Sequence, residues 1–250
     1  MSRLSFKQQG SGKPIILLHG FPMNQRVWDD FVPLLSDHYN VITVDLPGFG
    51  ESPLPQLPFT IDQVADIVLD WISTEKTLGS TIIGHSLGGY VALAMAKKRP
   101  DLFSGLGLFH STALADTEEK KESRLKVVEF IGKNGVLAFT SNFIPPLFAD
   151  QNHKAINKVR EIAIQSTHDA VTGYTLAMRN RPDRTSVLKK LEMPVLFLAG
   201  EADPGIPVNS ILEQAKRCKF PQVHVLKHVA HMGMFENPEV SVNHLRSFVN

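Results

Sequence analysis

The sequence predicts an α/β protein with a mostly parallel central sheet of about seven strands, flanking helices and an inserted helical cap. Two patterns carry that expectation. Short runs rich in apolar and β-branched residues (Pro14 to Leu18, Asn40 to Asp45, Ser80 to Ile83, Gly105 to His110) read as buried parallel strands separated by helical or loop stretches. From about Thr112 to Leu191 the strand signal vanishes and only helical spacing remains, before strands resume at Pro194 to Leu198 and Gln222 to Leu226. Residues 1–111 and 192–250 are therefore assigned to one core domain, and 112–191 to a cap over the sheet.

Each element has a local cause. Arg3 to Gln8 alternates weakly and supplies one edge strand, followed by the turn Gly10-Ser11-Gly12-Lys13-Pro14. That turn is no phosphate loop, because a glycine is missing at the required spacing and Pro14 replaces the serine or threonine. Pro14 to Leu18 is wholly apolar and runs into His19-Gly20-Phe21-Pro22. Val27, Trp28, Phe31, Leu34 and Leu35 have helical spacing and predict a helix over Val27 to Ser36. The next strand ends in Leu46-Pro47-Gly48-Phe49-Gly50-Glu51-Ser52, which lacks the third glycine of a dinucleotide-binding turn. After the proline-rich loop Pro53 to Pro58, a helix from about Thr60 to Thr74 carries Ile61, Val64, Ile67, Val68 and Trp71 at core spacing. Gly105 to His110 follows the helix Tyr90 to Lys98, which stops at Arg99-Pro100. In the cap, Asp116 with Glu119 reads as a capping box opening a helix to about Lys133. Val136 to Phe148, broken at Pro145-Pro146, then Lys154 to Gln165 and Ala170 to Asn180 complete it. Asn237-Pro238-Glu239 starts the last helix, with asparagine as cap and proline in the first turn.

Composition narrows the partners. The chain has 250 residues, 43% hydrophobic and 20% charged, enough for a sizeable core. Its 26 basic and 25 acidic residues leave a net charge of +1, with no electrostatic footprint for nucleic acid or anionic lipid. The first residues carry no apolar signal core, and Ile15-Ile16-Leu17-Leu18 is far too short to span a bilayer. The single Cys218 excludes an internal disulfide, and its Lys-Arg-Cys-Lys context suggests an exposed helix end. A cytoplasmic protein is expected, with monomer and homodimer both compatible.

The chemistry centres on Gly84-His85-Ser86-Leu87-Gly88-Gly89, set between the strand Ser80 to Ile83 and the helix beginning at Tyr90. Strand, G-x-S-x-G, then helix is the context of a nucleophile elbow, in which glycines let strand and helix approach. The turn lifts the Ser86 hydroxyl clear of the sheet and leaves the Leu87 amide pointing where negative charge would develop. A serine nucleophile needs a base, and the base an orienting carboxylate. The loops after the last two strands offer both: Asp203 in Ala199-Gly200-Glu201-Ala202-Asp203-Pro204, and His231 in Lys227-His228-Val229-Ala230-His231-Met232-Gly233. Metal binding by His224, His228 and His231 is set aside, because His224 falls in a strand and no cysteine or carboxylate joins them.

These motifs, with Asp45-Leu46-Pro47-Gly48-Phe49-Gly50-x-Ser52, resemble the α/β-hydrolases, in particular the small cap-bearing esterases and C–C hydrolases, over almost the whole length. The resemblance implies an oxyanion hole from the backbone amides of Phe21 and Leu87, with His19-Gly20 shaping the first loop and Asp45 and Ser52 bracing the second. Three departures stand out. Ala230 occupies a place where the family usually has glycine, implying an ordinary backbone conformation there. One N-terminal strand replaces two. The loop after the strand preceding the cap reads His110-Ser111-Thr112, leaving Asp203 as the placed acid, with Glu201 its near neighbour.

The expected activity is hydrolysis of a small carboxylic ester through an acyl-enzyme on Ser86, without metal or organic cofactor. Met23, His110, Phe139, Phe143, Phe148, Tyr174 and Met232 are the candidates for lining an apolar acyl pocket. The same triad would also serve C–C hydrolysis, a lyase elimination or perhydrolysis, and a slow-turnover binding or signalling protein is the reading of another class. Serine at position 86 argues against the dehalogenases and epoxide hydrolases, which use aspartate.

Overall fold

The computed structural model describes residues 4–75 and 77–250. Seven strands, β1 (Phe6–Gln9), β2 (Lys13–Leu18), β3 (Tyr39–Val44), β4 (Ser80–His85), β5 (Phe103–Phe109), β6 (Val195–Gly200) and β7 (Pro221–Leu226), form one sheet in the order β1-β3-β2-β4-β5-β6-β7. Every neighbouring pair is parallel except β1 with β3. The fold class expected from the sequence is thus the one observed. The expected edge strand is shorter, beginning at Phe6; Arg3 lies outside the described residues.

Helices α1 (Ile61–Glu75) and α2 (Leu87–Lys98) precede β5. Between β5 and β6 come α3 (Glu118–Phe143), α4 (Ile156–Ala163), α5 (His168–Arg179) and the short α6 (Thr185–Leu188). Helix α7 (Val208–Ala215) joins β6 to β7, and the short α8 (Gly233–Glu236) and α9 (Pro238–Val249) follow. Among the described residues no helix is long and apolar enough to cross a membrane.

Alternation along the strands divides the interior in two, because successive side chains point to opposite faces. Ile16, Leu18, Ile42, Ile82, Leu106 and Phe197 join the core packed by α1 and α2. Ile15, Leu17, Val41, Ile83 and Leu196 join the one packed by Trp28, Phe31 and the α9 residues Val242 and Leu245. Burying each such side chain contributes roughly 1.5–3 kcal/mol. The segment between β5 and β6 feeds both cores: Ala170, Val171 and Tyr174 the first, Ile156, Val159 and Ile162 the second.

Three local expectations are corrected. Val27 to Ser36 is not an α-helix but two 3₁₀ turns, Gln25–Trp28 and Val32–Leu34. Pro33 has no N–H for a helical bond, and the Asp45 carboxylate already takes the Gln25 amide at 2.8 Å. The cap of α3 is Thr117, whose side chain accepts from the Lys120 amide, while Asp116 is buried and paired with two arginines. The predicted break between Lys133 and Val136 is present: Gly135, at φ 79° and ψ 171°, is non-helical, so α3 is two helical segments joined at a kink. Cys218 lies just beyond α7 but is half-buried, and burial pushes its thiol up to about 11. The short α6 and α7 were not expected, since four and eight residues offer few periodic positions.

Candidate active site

Ser86 stands between β4 and α2 at φ 50° and ψ −113°, a conformation costing about 1–3 kcal/mol that its surroundings must impose. The glycines around it leave no room for side chains. A Cβ on Gly84 would come within 2.3 Å of the Gly88 backbone, and one on Gly88 within 2.4 Å of the Leu18 carbonyl oxygen. The Ser86 amide donates to Phe109 O at 3.0 Å, and the Ser111 hydroxyl donates to Ser86 O at 2.7 Å. The end of β5 therefore holds both sides of the serine's main chain.

His231 and Asp203 meet from the loops after β7 and β6. His231 Nδ1 lies 2.7 Å from Asp203 Oδ2, and Asp203 Oδ1 accepts from the amides of Gly205 at 2.8 Å and Ile206 at 3.2 Å. Burial alone would raise the Asp203 carboxyl, but the charge of His231 and its 2.7 Å hydrogen bond, with the His110 imidazole close by, hold it well below the usual carboxylate range. Glu201 is used differently: its carboxylate accepts the His228 amide at 3.0 Å. The left-handed turn of this loop falls at His228, φ 58°, and Ala230 is not at positive φ.

The main chain of His231 is clamped on both sides. Its carbonyl takes a hydrogen bond from His85 Nε2 at 2.8 Å, and its amide donates to Leu147 O at 2.9 Å. Glu236, which sequence reasoning missed, accepts the amides of Ala230 and Met232, each at 3.0 Å, and of Ala149 at 2.8 Å. His110, at φ 46°, accepts the Gly233 amide on Nε2 at 3.2 Å, so its Nδ1 carries the proton and faces Asp203 Oδ2 at 3.6 Å. Burial, reinforced by the His231 charge and opposed by Asp203, pushes His110 down to about 4.

On the opposite side, His19 links two loops, with Nδ1–H donating to Gly20 O at 3.0 Å and Nε2 accepting the Leu46 amide at 2.9 Å. Asp45 accepts from the Gln25 and Glu51 amides, and the Ser52 hydroxyl donates to Asp45 O at 2.7 Å. Among the described residues neither the Phe21 nor the Leu87 amide donates a hydrogen bond.

A cavity of about 280 Å³ is lined by Ser86, Asp203, His231 and Phe21, near the lower end of the size range of small-molecule sites. No hydrogen bond joins Ser86 to His231 among the described residues, although both face this space. Phe139 and Phe143 also line it, their rings 6.0 and 5.9 Å from that of Phe21. The other expected lining residues are elsewhere. Tyr174 is buried against Phe49 and Phe59 with its hydroxyl on Pro47 O at 2.7 Å, and Phe148 stacks on His153. Met23 and Met232 are sealed in the second core, and His110 lies behind Asp203. Their apolar or aromatic character marked burial, not the cavity.

In their place stand Lys120, Arg124 and Val127 of α3 and Thr175 and Met178 of α5. Their spacings of four and three residues were a readable signal of one helix face each, but nothing in the sequence says which face meets the serine. His224 stacks on His244 with centroids 3.8 Å apart, and among the described residues no group of three or more His, Cys, Asp or Glu could hold a metal ion.

A seven-stranded, mostly parallel sheet with a serine elbow after its central strand is the architecture of the α/β hydrolases. Residues 15–244 match the alpha/beta hydrolase family, and the chain belongs to it. Its relatives are named enzymes. It is 26% identical over 238 residues to an (E)-2-((N-methylformamido)methylene)succinate hydrolase of Acinetobacter baylyi, covering 93% of this chain and 88% of that one. A pimeloyl-[acyl-carrier protein] methyl ester esterase of Neisseria meningitidis is 29% identical over 246 residues, covering 95% and 77%. Among solved structures, a thermophilic esterase from Thermogutta terrifontis, with malate bound, superposes with a TM-score of 0.92 at 32% identity, over 98% of this chain and 92% of that one. The chain is accordingly an enzyme of the hydrolase type.

Proposed function

We propose that this chain is a serine hydrolase cleaving a small carboxylic ester through an acyl-enzyme on Ser86. The observation that carries this is the 2.7 Å pair of His231 and Asp203 facing the same cavity as the strained elbow serine. His231 takes the Ser86 proton as the hydroxyl attacks the carbonyl carbon, and Asp203 stabilises the imidazolium. The free N–H groups of Phe21 and Leu87 donate to the oxyanion, Leu87 with the added field of the α2 N-terminus. His231 then returns the proton to the leaving alcohol and activates water to release the acid. Residues 112–191 act as the cap that closes this site. No metal or organic cofactor enters, and the partner is a small molecule, with no role for nucleic acid or a membrane.

Relatives named as esterases support ester chemistry. The test is release of p-nitrophenol from acyl esters of rising chain length by this protein and its Ser86→Ala variant. Multiple turnover that falls at least 10³-fold in the variant, on the order expected when a nucleophile is removed, supports the reading. The small cavity predicts an optimum at short acyl chains. Turnover that survives in the variant, or a wild type that acylates once and stops, would sink it; the second result marks a binding protein. Inactivity on every ester redirects the same triad to C–C, lyase or peroxide chemistry.

A further inference from the structure

Resting on the ester reading above, we propose that the α3 side of the cavity binds an ionised carboxylate of the substrate, so that the preferred ester carries a second, free carboxyl group remote from the scissile bond. Lys120, Arg124 and Val127 line the cavity, and Ile131, one turn further, is buried. These four positions form one helical stripe, the face an amphipathic helix ordinarily keeps apolar. Here its first two places hold cations. Apolar residues instead face solvent: Leu125 and Phe130 of the same helix are exposed.

The placement runs against local preference in two further ways. Lys120 is the third residue of α3, where the helix field favours acids, and it stands four residues from another cation. Among the described residues only one of the two has an acid partner, and that partner is shared. Asp116, with its side chain fully buried, is shared between Arg124 and Arg181, the latter held also by Met178 O and Leu114 O. Lys121 takes Glu118 on the outer side. The cavity's own acid, Asp203, is occupied by His231 and two amides. Among the described residues the Lys120 ammonium and Arg124 Nη1 have no hydrogen-bond or ion-pair partner.

Asp116 thus serves two arginines, and the unpaired charge of Lys120 lines a space walled by Phe139, Phe143, Val127 and Met178. Such walls exclude water and strengthen a charge-assisted hydrogen bond. Asp116 fixes the plane of the Arg124 guanidinium in advance, and half-buried Lys120 supplies the free charge.

The test compares methyl monoesters of succinate, glutarate and adipate with methyl butyrate, valerate and hexanoate, followed by proton release. The wild type is expected to show at least tenfold higher kcat/KM on one acid ester than on its neutral counterpart. In Lys120→Met that ratio falls at least tenfold, mainly through KM, and Lys120→Arg restores most of it. Added salt lowers the wild-type ratio. A ratio of one or less in the wild type, or one that Lys120→Met leaves intact, overturns the proposal. Binding separates this from the ester reading: Ser86→Ala protein is titrated with succinamate and glutaramate against butyramide. Acid-selective binding lost in the Ser86→Ala, Lys120→Met double variant, with no ester turnover, keeps the anion subsite and removes the ester chemistry. Binding without acid selectivity removes the subsite.

Discussion

The cavity wall built from the strand ends and the wall built from α3 and α5 are held by different forces. At the strand ends, directed hydrogen bonds fix the main chain of both Ser86 and His231, and Asp203 has partners on both oxygens. Histidines at positions 19, 85 and 110 serve as neutral, buried connectors between loops. On the helical wall the aromatic rings of Phe139 and Phe143 stack at 5.0 Å and meet Phe21 edge-on or tilted. There shape and a surplus of positive charge do the selecting. Hydrogen bonds are intolerant of small displacements, whereas packed rings accept exchange of volume. The first wall suits chemistry that must be preorganised, and the second suits a choice among substrates.

Substitutions on the two walls should therefore differ in kind. Asp203→Asn keeps the shape but loses the charge that steadies the imidazolium, and kcat should fall about 10³–10⁴-fold with KM little moved. A loss below tenfold would break the distinction between the walls.

The strand-end wall should also show itself in pH dependence. His110 is held down to about 4 when folded, against the ordinary 6.5, so the unfolded chain binds its proton first as pH falls. Stability drops between about pH 6.5 and 4 by roughly 3 kcal/mol from this group, and no further below. Asp203, shifted downward, contributes above the ordinary carboxylate range and loses that contribution only as pH falls below about 4, outside this window. His110→Asn, which tolerates the positive φ, should lessen the 4 to 6.5 decline in denaturant unfolding without abolishing it, because burial also holds His85 and His19 down; an unchanged slope would remove His110 from the account. The smallest effect is expected on the other wall. Phe139→Leu should shift the preferred acyl length while changing kcat/KM on the best substrate by less than about tenfold. A larger loss would mean that α3 positions the reacting groups as well.

The sequence by itself determined the α/β class, six of the seven strands closely, and the loops that carry Ser86, Asp203 and His231 to one end of the sheet. Those features are local. A buried parallel strand must be apolar through its length, and an elbow needs glycines where backbones nearly touch, so neighbouring residues report them. Phe139 and Phe143 also come to the cavity, although nothing in the chain distinguished them from Phe148 and Tyr174, which pack inside. Tertiary structure alone decided that difference, because an aromatic ring carries the same signature whether it faces a core or a cavity. It likewise decided that Asp116 is a buried partner for two arginines rather than a helix cap, and that Lys120 and Arg124 turn inward. Helical spacing says which residues share a face; only the packing of α3 against α5, beside the Ser86 cavity, says what that face meets.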